Sequence, residues 1–202
     1  MGEAVDSLSQ QPIVNIRGER VSLGPFTADQ VDAFYRWHND YSTLRTFEYL
    51  PKPMTLARAR EFYEELTAQS GCDLFAIYEN MDWRLIGFAG LMDINPTNGT
   101  AEFGIMIGEP DARGKGYGTE ATRLTLDHAF LALGLGNVML TVYEYNITGI
   151  KAYEKVGFRV IGRRHKSKMM GGKLWDTVYM EALADAFESP VLGKVLVPDQ
   201  LR

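Results

Sequence analysis

The segment that most constrains this chain is Arg113-Gly114-Lys115-Gly116-Tyr117-Gly118-Thr119, placed between a strand pattern and a long apolar helix pattern. Three glycines in five positions let the backbone turn tightly and leave its N–H groups uncovered by side chains. A strand, a tight turn, a helix and a second strand across residues 100–143 describe a right-handed parallel crossover. The helix runs to about Leu133. Its polar residues Glu120, Arg123 and Asp127 form one narrow stripe, so the rest packs over a wide arc and fixes the helix start.

N–H groups at a helix start, beside Arg113 and Lys115, suit an anion such as a pyrophosphate. The glycines alone fit equally well a turn that only redirects the chain; the basic residues and the apolar helix favour a ligand. A nucleotide-hydrolysing phosphate loop is excluded, because Glu109 stands where its first glycine belongs and Gly116 follows the lysine. The dinucleotide fingerprint fails too, since Gly114, Gly116 and Gly118 are spaced two and two.

The periodicity elsewhere predicts a strand at Arg20 to Leu23, then a helix through Val31 to His38 opened by a capping box at Thr27 and Gln30. Residues 39–53 read as a loop, and a second helix follows Thr55. Strands follow at 74–78, 84–92 and 100–107, and another at 138–143. A short helix at 147–156 and strands near 158–163 and 174–182 close the domain. This order predicts an α/β fold with a mixed sheet and flanking helices. Residues 1–12 form a loose polar lead and 13–183 the domain. Residues 184–202 are left unplaced, with docking on the domain or on a second subunit, as in a homodimer, both open.

The 21 Lys and Arg against 26 Asp and Glu argue against a nucleic-acid partner and suit a cationic small substrate. One cysteine, Cys72, makes no internal disulfide and no cysteine-based zinc site. The three histidines lack ligand spacing, so no metal is expected. The absence of an apolar leader or spanning run makes a soluble cytoplasmic protein the default expectation, with no membrane contact.

Two motifs carry a family resemblance. Arg113-x-x-Gly116-x-Gly118 resembles the coenzyme A pyrophosphate loop of the GCN5-related N-acetyltransferases. Asn146-x-x-Gly149-x-x-x-Tyr153-Glu154-Lys155-x-Gly157-Phe158 is similar to that family's second motif, with Gly149 in place of the usual alanine. Trp37-His38-Asn39-Asp40, Glu102-Phe103-Gly104 and Gly118-Thr119-Glu120-Ala121 are similar to its ribosomal-protein alanine acetyltransferase (RimJ/RimL-like) branch, a branch that also includes enzymes acting on polyamines, antibiotics and sugar amines. The resemblance covers about residues 17–183. It implies a mostly antiparallel sheet with a central parallel pair. It also implies acetyl-CoA as co-substrate and transfer of an acetyl group to a primary amine.

The same resemblance implies a site. The turn from Arg113 through Gly114, Lys115, Gly116, Tyr117 and Gly118 to Thr119 would hold the pyrophosphate, with Asn146 nearby. Strand 100–107 would splay from its neighbour, leaving backbone groups of Met106, Ile107 and Gly108 for pantetheine, with the Met106 N–H polarising the thioester. In that strand Glu102, Gly104, Met106 and Gly108 share one face, whose glycines leave room for a ligand. Glu102 is the candidate general base through a water, or else a surface carboxylate or salt-bridge partner. Tyr153 reads from its pattern as a core tyrosine; the motif match makes it the candidate general acid. Asn146 fits a helix cap as well as a ligand contact. The acceptor pocket is expected near Asp40, Tyr41, Phe47, Glu48 and Tyr49, residues that equally suit a solvated loop edge. A non-catalytic coenzyme A sensor and a flavin- or nucleotide-dependent enzyme are the competing readings.

Overall fold

The structure, a computed structural model, describes residues 11–47 and 52–199. Eight strands form one sheet: β1 (Ile16–Arg17), β2 (Val21–Pro25), β3 (Asp73–Glu79), β4 (Leu85–Asn95), β5 (Thr100–Ile107), β6 (Asn137–Tyr143), β7 (Arg159–Met170) and β8 (Lys173–Leu183). The spatial order is β1-β2-β3-β4-β5-β6-β8-β7. Every neighbouring pair is antiparallel except β5 and β6. The chain therefore has the mixed, mostly antiparallel sheet with a central parallel pair that its motifs imply.

The two sheet faces are covered by different helices because the strands alternate cleanly. On β3, Phe75 and Ile77 enter the main core, while Ala76 and Tyr78 enter a second one. The main core is closed by α4 (Tyr117–Asp127), through Ala121, Leu124 and Leu126. The second is closed by α1 (Val31–Asn39) and α3 (Leu56–Ala68), through Val31, Phe34 and Ala59. Phe34 stacks on Phe62 with centroids 5.4 Å apart, which locks the two helices together.

The helices over the second core start near residues that supply an acceptor. Thr55 Oγ1 accepts from the Arg58 N–H (3.2 Å) at the head of α3. Before α1, the Thr27 N–H donates to Gln30 Oε1 (3.1 Å), and one 3₁₀ turn at Ala28–Gln30 precedes the helix proper.

Three segments differ from their sequence reading. Residues 39–53 are not all loop: Tyr41–Leu44 form one helical turn, α2, because Asp40 caps it and Leu44 is buried. The long helix stops at Asp127 and continues as a wider π turn over His128–Ala132. Asp127 is not on a solvated stripe; it is fully buried and accepts from Ser189 Oγ (2.5 Å), the Val191 N–H (3.0 Å) and the Leu192 N–H (2.7 Å). Those donors belong to the C-terminal segment, which docks on its own domain. There Leu192, at the start of α6 (Leu192–Val195), enters the main core, and Phe187 packs on Phe130 at 5.2 Å.

Candidate active site

Strands β5 and β6 pair over only three positions: Thr100 with Asn137, Ala101 with Val138 and Glu102 with Met139. Beyond Glu102 they separate, although β5 continues to Ile107 and β6 to Tyr143. The separation opens a cleft of about 710 Å³. Its walls are the end of β5, the start of α4, α5 (Ile147–Val156) on one side and α2 on the other.

Which β5 backbone groups face the opening follows from strand alternation. The Gly108 N–H donates to the Ile86 carbonyl (2.9 Å), and Met106 lies opposite Phe88 in register. In an antiparallel pair hydrogen-bonded and non-bonded positions alternate, so the Met106 amide also points at β4. This corrects the expectation for Met106 and Gly108: their N–H groups are consumed within the sheet. The amides directed at the cleft are those of Ile105 and Ile107. The face holding Glu102 also offers less room than its glycines suggest. A Cβ on Gly108 would lie 2.0 Å from the Trp37 ring, so an indole fills that space.

The glycine turn has the geometry its sequence predicts. Gly114 and Gly116 have φ of +73° and +83°, values that favour glycine. Gly116 is the N-cap of α4, and the first intrahelical bond runs from the Glu120 N–H to the Gly116 carbonyl (3.1 Å). The N–H groups of Tyr117, Gly118 and Thr119 thus precede any helical partner, and Gly118 and Thr119 line the cleft. These donors and the positive end of the helix form an anion site open to the cleft.

The side chains around the turn hold it rather than point into it. The Tyr117 hydroxyl donates to buried Glu79, whose second oxygen accepts from Arg84 Nη2 (3.0 Å). The Tyr117 hydrogen bond, with Arg84 behind it, holds the Glu79 carboxyl below the usual carboxylate range against the opposing effect of burial. Arg20 donates from Nη1 to the Lys115 carbonyl (2.9 Å) and from Nε to Glu120 (3.2 Å). Sequence reading missed Arg20 and Glu79, because nothing local marks residues that reach the turn from β2 and β3. Arg113 also faces back into the protein: its Nε donates to the Ile107 carbonyl (3.0 Å) and its Nη2 to the Gly108 carbonyl (3.0 Å).

Across the cleft, Asn146 caps α5 by accepting from the Gly149 N–H (3.0 Å), and it lines the cleft as well. A Cβ on residue 149 would lie 2.5 Å from Asn146 Nδ2, so an alanine there would need the Asn146 amide to shift. Tyr153 lines the same wall, its ring set edge-on to Phe103 (6.2 Å) and Phe158 (5.8 Å). Burial pushes its phenol up to about 12. The described residues lining the cleft do not include Glu102, which stands half-buried at the root of the split.

The expected acceptor residues fare differently. Asp40 is the cap of α2, accepting from the Ser42 N–H (3.0 Å), Ser42 Oγ (2.7 Å) and Thr43 Oγ1 (2.5 Å). The Thr43 bond, followed by that of Ser42, draws its carboxyl below the ordinary range. Tyr41 is exposed. Glu48 and Tyr49 lie outside the described residues. Phe47 lines the cleft, as do Thr43 and Arg45, which sequence reading did not single out.

The model of the acetyltransferase (GNAT) domain matches residues 20–159, which include the turn, the split and both motifs. The chain belongs to this family. As a GNAT member it is an acetyl-CoA-dependent acyltransferase. Among its relatives is the SPbeta prophage-derived uncharacterized N-acetyltransferase YokL of Bacillus subtilis, 29% identical over 85% of this chain and 94% of that one. The spermidine N(1)-acetyltransferase of Escherichia coli K12 is 33% identical over 49% of this chain and 53% of its own length. Among solved structures, the spermidine N-acetyltransferase of Vibrio cholerae in complex with CoA and spermine has the same fold. Its TM-score is 0.77, with 23% identity over 83% of this chain and 98% of that one. These matches do not single out the ribosomal-protein branch within the GNAT family.

Among the described residues no three His, Cys, Asp or Glu side chains converge as metal ligands. No helix among them is long and apolar enough to cross a membrane.

Proposed function

We propose that this chain transfers the acetyl group of acetyl-CoA to a primary amine of a small polyamine, by direct attack within a ternary complex. The observation that carries the reading is the cleft itself. A free helix N-terminus at one end and two strand amides directed at the middle lie on the same opening as the half-buried Tyr153. The relatives named for spermidine support the choice of acceptor.

The residues divide the work as follows. The N–H groups of Gly118 and Thr119 bind the pyrophosphate. The backbone of Ile105 and Ile107 pairs with the pantetheine arm as a strand would. The Ile105 N–H donates to the thioester oxygen and holds the oxyanion as the amine nitrogen attacks the carbonyl carbon. The C–S bond then breaks, and Tyr153 gives its proton to the departing thiolate. The amine proton leaves to solvent, or to Glu102 through water across about 10 Å of strand, and Tyr153 is reprotonated. Holding both reactants in one cleft supplies much of the rate, since good orientation is worth roughly 7–11 kcal/mol.

Thiol release from acetyl-CoA tests this reading against spermidine, spermine, an N-terminal alanine peptide and an aminoglycoside. Turnover is expected with the polyamines first. Coenzyme A binding by calorimetry without turnover of any amine would instead favour a sensor, and no binding at all would remove the site assignment.

A further inference from the structure

One contact joins the two walls of the cleft. Arg113 Nη2 donates to Thr43 Oγ1 (2.6 Å), 70 residues away in sequence. Thr43 has one hydroxyl proton, and it goes to the Asp40 carboxylate. The hydroxyl therefore relays between a cation at the foot of the glycine turn and the anion that caps α2.

Helix α2 has only four residues and cannot hold itself. Its position depends on outside contacts. Among the described residues these include the Asp40 cap, the burial of Leu44, a bond from the Tyr145 hydroxyl to the Arg45 carbonyl (2.7 Å), and Arg113. Leu44 packs with Met106 of β5, and of the hydrogen bonds Arg113 supplies the one that comes from the foot of the glycine turn. It is also rigidly mounted, because its Nε and Nη2 grip the carbonyls of Ile107 and Gly108. The next residue, Gly114, begins the turn. A shift of that turn is thus transmitted through a short, fully hydrogen-bonded path to the opposite wall, where Thr43, Arg45 and Phe47 line the cleft.

We propose that Arg113 is a positioning residue that ties α2 to the cofactor turn, so that coenzyme A binding at the turn sets the acceptor-side wall. The inference rests on the turn being the coenzyme A site. It differs from a direct role for Arg113 on the phosphates, since the Nε and Nη2 groups of this guanidinium are committed to protein acceptors.

Hydrogen exchange measured with and without coenzyme A tests the tether. In the wild type, coenzyme A slows amide exchange both at 114–119 and at 41–47. Thr43→Val keeps the side-chain shape but loses donor and acceptor; Arg113→Lys shortens the reach and loses the fork. In both, protection at 114–119 persists while the added protection at 41–47 falls at least fivefold. Thr43→Ser, which keeps the hydroxyl, restores it, and the double variant loses no more than either single one. If Thr43→Val retained wild-type protection at 41–47, coenzyme A would be touching α2 directly and the tether would be refuted. A wild type that binds no coenzyme A would instead sink the functional reading and the tether with it.

Discussion

Tyr153 shows how one residue can look structural in a sequence and chemical in a cleft. Its ring packs between Phe103 and Phe158, as any core tyrosine might, yet it lies on the cleft wall. With its phenol raised to about 12 by burial, it stays protonated across the working range and gives the activity profile no alkaline limb below about pH 11. Tyr153→Phe is expected to lower kcat about a hundredfold with little change in the acetyl-CoA KM, checked by steady-state kinetics. Glu79 carries a different kind of prediction. Its carboxyl is held down in the folded state, so its charge adds stability above the ordinary value of 4.5, and that stability is lost as pH falls through the folded value. Glu79→Gln should therefore cost about 1 kcal/mol at pH 7. The gap from wild type in thermal melts should narrow as the pH falls below 4.5 and close once it passes the lowered folded value. The residue scale is also where sequence reading was least specific: Asp40 read as a ligand for a cation or as a solvated loop edge, and it caps a helical turn that shows no period of its own.

At the scale of elements, the glycine turn and α4 act as one unit. Gly118 sits in the first helical turn with its Cα side toward Ile107, 3.5 Å from where a Cβ would reach. Gly118→Glu puts bulk and negative charge at the anion site, and the coenzyme A Kd should rise at least about a hundredfold, or ~2.7 kcal/mol, by calorimetry. Gly116→Ala is milder in chemistry but not in conformation. It forces an L side chain to φ +83° and sets a Cβ 2.9 Å from Arg20 Nη2, at a cost of about 1–2 kcal/mol in stability. Elements were the most legible part of the sequence. Strand β5 and helix α5 fall on their predicted residues, because a two-residue and a 3.6-residue period are local signals. Helix α2 was missed since four residues show no period. The direction of the Met106 amide was missed since it depends on the register with β4, a long-range fact.

For the whole molecule, the C-terminal segment is part of the fold. It brings three hydrogen bonds to the buried Asp127 carboxylate and a leucine to the core. Deleting residues 187–202 would remove those three hydrogen bonds and the packing of Phe187 and Leu192, a loss of about 3 kcal/mol. The truncated protein should melt several degrees lower, read by differential scanning calorimetry. Because Asp127 ends the same helix whose start is the proposed anion site, coenzyme A affinity should fall as well. The sequence could not place this segment: Asp127 sat at helical spacing with Glu120 and Arg123, so it read as part of a polar stripe rather than as a buried anchor.

The three-residue pairing of β5 and β6 has a last consequence. An open seam in a sheet is ordinarily a hazard, a template on which a stray polypeptide can dock. Here the seam lies between internal strands and is flanked by helices, so a foreign strand with side chains on both faces is shut out. A slender thread bearing amides, with no branches to either side, still passes. The same unfinished edge can therefore serve as a selective filter without exposing the protein to aggregation.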